Sequence, residues 1–201
     1  MADNLEDWEK KQKDYLAVAI ICFIIGTYFF MKVIGGSYII RPTQLEVYDN
    51  LITSQVPKFK ETKGKRGRRW IEFKCVDNWS TFEIEGFDYR CVNRAEILNE
   101  IKAGDTISIA ILKEDTGDFD SETSCKIHSL IKNDKEYLDL QCRNKADNKD
   151  GKMGFLLLFA ISIMTAIVYS FSKKPKFFNE VSPEIIIGII VFILFIILRS
   201  Y

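Results

Sequence analysis

The sequence predicts a mixed α and β membrane protein: three transmembrane helices with a small extramembrane β-barrel or β-sandwich that carries one short helix. Three apolar stretches without a charged residue predict the helices: Tyr15 to Met31, Met153 to Phe171 and Ile185 to Leu198. Period-two alternation of apolar and charged residues in the polar segment between the first two predicts the domain. The division that follows is an amphipathic tail over 1–14, spans over 15–36, 153–172 and 183–199, a β-domain over 37–152 and a connection over 173–182.

In the tail, five acidic residues accompany three lysines, which is a poor leader for a cleaved signal peptide. The first span is therefore expected to be an uncleaved anchor. Asn4 can cap the tail as a short helix, with Leu5, Trp8 and Tyr15 at headgroup depth, where an aromatic ring can be apolar on one side and wet on the other. The anchor continues past Lys32 through Val33 and Ile34, because a lysine near a helix end can reach the interface. A hydrocarbon core of roughly 30 Å needs about 20 helical residues, which the second stretch supplies directly. The third holds 14 uncharged residues and eight isoleucines. It reaches membrane length only if the helix starts near Ser182 as N-cap and Pro183 at the first position.

The insert is read by its alternation. A strand or strand pair is expected over Gln44 to Val56. Ile71, Phe73 and Cys75 alternate with Glu72 and Lys74, and Phe82 and Ile84 with Glu83 and Glu85, so the turn at Asp77 to Trp79 closes a hairpin. Asn93 and Glu96 form a capping-box pattern before Ile97, Leu98 and Ile101, with Gly104 as a stop. Ile107, Ile109 and Ile111 make the next strand. Two more are expected over Ser124 to Ile131 and Tyr137 to Cys142.

If Asn133 and Asp134 centre the last turn, opposed residues have numbers summing to 267, which sets Cys125 against Cys142 as a candidate disulfide. Cys75 and Cys91 also fall on apolar faces, and an even set of four suits an oxidising compartment. Four buried free thiols are the alternative. Lys10, Lys11, Lys13, Lys173, Lys174 and Lys176 lie on one side of the spans; Arg199 lies on the other, together with Arg143, Lys145, Lys149 and Lys152 at the end of the long insert, which weighs less in the rule, so the N-terminus is expected in the cytoplasm and the β-domain outside it.

Arg41 to Lys152 holds 20 basic and 21 acidic residues, a balance that argues against nucleic acid as a partner. Lys63, Lys65, Arg66, Arg68 and Arg69 form a candidate anion-binding set, with a solvated connection between strands as the alternative. His128 is expected on an exposed strand face, opposite Cys125. Asp115, Asp118, Asp120 and Glu122 crowd one loop without the spacing of a calcium loop. Asn78-Trp79-Ser80 matches a glycosylation sequon. No pattern of catalytic, cofactor-binding or metal-ligating residues emerges.

One anchor, a small β-domain in which Gly104-Asp105-Thr106-Ile107-Ser108-Ile109 follows a short helix, and closing apolar spans make up a recognisable layout. Over roughly Trp70 to Phe171 it resembles bacterial membrane proteins of unknown function in which a Gly-Asp-x-Ile/Val strand start follows a β-hairpin. The resemblance implies a multi-pass protein of the bacterial inner membrane and carries no activity with it. The expected function is non-enzymatic: a membrane-anchored β-domain, in contact with the lipid bilayer, that binds a protein or envelope component. An anionic-lipid-binding module and a thiol redox protein are the alternatives.

Overall fold

The structure is a computed structural model that describes residues 2–64 and 67–200, with side chains from residue 8 onward. The side chains of Asn4 and Leu5, and the whole of Lys65 and Arg66, lie outside the described residues. The chain forms two compact units, one of residues 39–147 and one of residues 1–38 with 148–201.

Among the described residues, the first unit contains eight strands in two four-stranded sheets: β1 (Leu45–Ile52), β2 (Lys58–Glu61), β3 (Arg69–Phe73), β4 (Thr81–Glu85), β5 (Thr106–Leu112), β6 (Ser124–Lys126), β7 (Ser129–Lys132) and β8 (Lys135–Glu136). The sheet orders are β1-β5-β7-β8 and β2-β3-β4-β6. The barrel expected as one option is not closed. The sheets are stitched at an isolated bridge between Thr53 and Cys75, where Ser54 N–H donates to Lys74 O and Val76 N–H to Ile52 O. They are stitched again where Ile127 N–H donates to Glu83 O while His128 N–H donates to Ala110 O. Both sheets contribute to one core of Ile71, Phe73, Phe82, Ile84, Ile107, Ile109, Ile111, Cys125 and Leu130. Burying each large side chain contributes about 1.5–3 kcal/mol.

The hairpin expected around Asp77 to Trp79 forms, with Ile71 opposite Ile84 and Phe73 opposite Phe82. Asn93 caps α3 (Arg94–Glu100) by accepting Glu96 N–H. Preceding it is a helix the alternation does not announce, α2 (Gly86–Arg90), so Phe87, Tyr89 and Cys91 do not share a strand face. The basic run falls on the β2–β3 hairpin, with Lys58 pairing with Glu72 and Glu61 with Arg69 on its two strands and Lys63 on the connection between them. β1 carries a bulge between Tyr48 and Leu51, where Asn50 takes a φ of 59° that asparagine tolerates better than most residues.

Among the described residues, the second unit holds α1 (Ala2–Ile34), most of α4 (Leu140–Ser170) and α5 (Pro183–Ser200), three helices long and apolar enough to cross a membrane. The tail and first span are one continuous helix. Gly26 lets Phe159 approach, since a Cβ there would lie 3.1 Å from its ring, and Ser162 Oγ donates to Ala19 O at 2.8 Å. Trp8 does not lie free at the surface of this unit but is buried with Tyr15, Val168 and Phe178. Gln12 Nε2 donates to Tyr169 O and Phe171 O, so the amphipathic half of α1 satisfies carbonyls left over at the end of α4. α5 starts at Pro183, a residue that loses nothing by lacking an N–H at the first helical position.

Inside the domain, Asp105 fastens the β5 start: its carboxylate accepts from Lys132 Nζ at 2.5 Å and Lys102 N–H at 2.6 Å. The Lys132 hydrogen bond, followed by that of the Lys102 backbone, holds its carboxyl below the ordinary value. A carboxyl with a lowered folded-state value stabilises above the unfolded value, near about 4, and loses that contribution as pH falls through the folded one. Asp105→Asn should therefore flatten the loss of thermal midpoint between about pH 5 and about pH 2, compared with the unsubstituted protein.

Candidate functional site: an exposed tryptophan loop and a buried charge cluster

The β3–β4 connection places a large apolar side chain in solvent on a fixed backbone. Asp77 turns the chain at φ 56°, and Asn78 Oδ1 accepts Ser80 N–H at 2.9 Å. Trp79 N–H donates to Asp120 Oδ1 at 3.1 Å. Ser80 is fully buried; its Oγ donates to Asp118 O at 2.6 Å and accepts Ser121 N–H at 2.9 Å. These bonds bolt the hairpin tip to the loop before β6, yet the Trp79 side chain remains 73% exposed. Beside it Asp77, Asn78 and Trp79 line an open depression of about 420 Å³. The sequence shows this tripeptide only as a turn and a sequon; the usable signal was an indole among turn-forming residues, where nothing demands one.

A second constellation is buried. His128 is 2% exposed, which corrects the expected exposed histidine: the chain changes sheets at this residue and turns the ring inward. Its Nδ1 lies 2.9 Å from Asp88 Oδ2, and Asp88, from α2, is itself buried. Nε2 is buried without a hydrogen-bond partner among the described residues. Arg143, on the first turn of α4, brings Nε to 4.0 Å from the same Asp88 oxygen and pairs with Asp147 at 3.1 Å.

The disulfide belongs to this joint. Cys142 bonds to Cys91, with S–S 2.03 Å and Cα atoms 5.9 Å apart, so the expected Cys125–Cys142 pair is corrected. The register behind that expectation does hold at the turn, Ile131 opposite Glu136 and Lys132 opposite Lys135. It runs out on both sides. Asp139 Oδ1 accepts Gln141 N–H and Cys142 N–H and so opens α4, while Cys125 sits on β6, paired with β4 in the other sheet. Cys75 and Cys125 remain free and buried. Burial pushes the Cys75 thiol up to about 12, and burial together with Asp118 and Asp115 pushes Cys125 up to about 11. Thiols held protonated in this way are poor nucleophiles.

Of the candidate anion-binding set, Lys63 is exposed on the β2–β3 turn, while Lys65 and Arg66 lie outside the described residues. Arg68 is engaged with Glu83 and, at 2.6 Å, with Glu85, and stacks 4.7 Å from the Trp70 ring. Arg69 holds Glu61 at 2.7 Å. The two arginines thus have carboxylate partners within the sheet. Among the described residues, no group of three or more His, Cys, Asp and Glu side chains is arranged to hold a metal ion. No protein-family model, curated protein or solved structure matches the chain.

Removing the Cys91–Cys142 bridge, which closes a loop with a sequence separation of 51, should cost about 4 kcal/mol. Peptide mapping of unreduced protein should recover Cys91 joined to Cys142, with Cys75 and Cys125 alkylated only after denaturation. A Cys125–Cys142 peptide would contradict the pairing.

Proposed function

We propose that the chain is a non-enzymatic, membrane-anchored binding protein of the bacterial inner membrane, whose two-sheet domain stands outside the cytoplasm and recognises a protein or envelope component through the Trp79 loop. The observation that carries this reading is Trp79 itself. A 73% exposed indole on a backbone tied down by neighbouring loops forgoes the burial such a side chain would gain in the core. A partner that covers it recovers that gain with little loss of loop entropy, which is why rigid aromatic residues recur at the centres of interfaces.

Two features support the side of the membrane. The Cys91–Cys142 bond suits an oxidising compartment, and the six lysines of the N-terminal segment and the α4–α5 connection suit the cytoplasmic face. The alternatives draw less support. Arg68 and Arg69 are answered by glutamates, which leaves anionic lipid to the lysines and Arg66, and the free thiols Cys75 and Cys125 are held protonated.

Topology is checked with a membrane-impermeant maleimide on intact cells: Cys91 and Cys142 should label after reduction without lysis, and labelling that requires lysis would reverse the assignment. The binding surface is checked by placing an aromatic photo-crosslinking residue, which keeps a ring at the site, at position 79 or, as an exposed control, at Asn99. A discrete adduct specific to position 79 is expected. No adduct there, or the same adducts at both positions, would reject the Trp79 surface.

A further inference from the structure

The chemistry around Trp79 narrows what can cover it. The face of an indole is the negative end of its quadrupole and attracts cations, more strongly than the rings of tyrosine or phenylalanine. Three aspartates surround its backbone: Asp77 precedes it by two residues, Asp120 holds its N–H, and the carbonyl of Asp118 holds the next residue. Among the described residues none of these carboxylates is in a salt bridge. The other end of the same sheet differs. There β3 begins at the basic hairpin, where Lys60, Arg68 and Arg69 each meet a glutamate. At that end Lys60, Arg68 and Arg69 are compensated within the fold, whereas at the Trp79 end an exposed aromatic face and aspartates outside any salt bridge among the described residues stand together. An anionic lipid surface or a polyanion would be repelled, and a purely apolar partner would have to desolvate the aspartates without compensation.

We infer that the Trp79 loop binds a lysine- or arginine-bearing segment of a protein partner, the cationic side chain lying over the indole with Asp77 and Asp120 as its counter-charges. The inference rests on the reading of Trp79 as the recognition surface and names its ligand class. A guanidinium suits the site especially well, being planar enough to stack on the ring while its N–H groups reach a carboxylate.

The test uses full-length protein in neutral detergent at low salt, titrated with a hexa-arginine peptide and followed by the fluorescence attributable to Trp79, with Trp79→Phe as the spectroscopic reference. Saturable binding is expected, at least tenfold weaker in Trp79→Ala and intermediate in Trp79→Phe when measured by calorimetry. Asp77→Asn with Asp120→Asn keeps an oxygen to accept the Trp79 N–H and a side chain that tolerates positive φ, and removes only the charge; it too should weaken binding at least tenfold. Equal affinity for hexa-glutamate, or hexa-arginine affinity unchanged by Trp79→Ala, overturns the inference. Trp79-dependent capture by phosphatidylcholine vesicles without peptide binding would transfer the cation to a lipid headgroup and likewise overturn it. If position 79 crosslinks a partner in cells but the peptide does not bind, the cationic class falls and the recognition surface stands; if position 79 crosslinks nothing, the surface itself falls.

Discussion

Ile127 and His128 hand their backbone N–H groups to different sheets, the first to Glu83 and the second to Ala110, and the domain is organised around that step. Buried N–H groups must be paired, so a chain that leaves one sheet in the core has to enter another at once. The step carries the His128 ring inward, where a buried polar group costs more unpaired than it contributes when paired. Asp88 on α2 supplies the partner, Arg143 on α4 approaches the same carboxylate, and the Cys91–Cys142 bond fastens those two helices covalently. The crossover, the buried pair and the disulfide are therefore one joint, at which two sheets, a short helix and the start of the α4 helix meet.

The helical unit solves a different problem. In hydrocarbon, apolar side chains gain nothing by leaving lipid for protein, so contact between helices depends on close approach and on polar groups that need partners. Gly26 supplies the approach to Phe159, and Ser162 supplies a hydrogen bond to the Ala19 carbonyl. At the end of α4, where helix carbonyls lack intrahelical donors, Gln12 and Trp8 reach in from α1. The polar residues of the tail thus serve the neighbouring helix, which explains why the tail and first span form one helix.

What the sequence disclosed follows from range. Apolar stretches, the β3–β4 hairpin, the Asn93 cap and the Asn133–Asp134 turn are local patterns, and each is where the residues indicate. The cysteine pairing was not legible, because it depended on two interruptions of local order. Asp139 starts a helix where alternation suggests a strand, and the step at Ile127–His128 moves Cys125 to the other sheet. The same step hid the burial of His128, and its partner was hidden because Phe87, Tyr89 and Cys91 alternate like a strand while Gly86, at φ 59°, begins a helical turn. Within the candidate site, the turn around Trp79 was visible. Its exposure was not, since that depends on Asp118, Asp120 and Ser121, some 40 residues away, holding the tip in place.

That long-range bracing separates Trp79 from an incidental surface aromatic. An exposed apolar residue needs no explanation by itself. Here Ser80 is wholly buried one residue along, its hydroxyl both donating and accepting, so the chain turns inward at a serine and leaves the indole outside. The backbone of the tip is satisfied by fixed protein groups at Asn78 and Asp120, which lowers the conformational entropy still to be lost when a partner arrives. A rigid tip with an uncovered ring has the energetic form of a binding surface before contact. At the opposite end of the sheet, Arg68 and Arg69 already hold Glu85 and Glu61 as partners from their own fold.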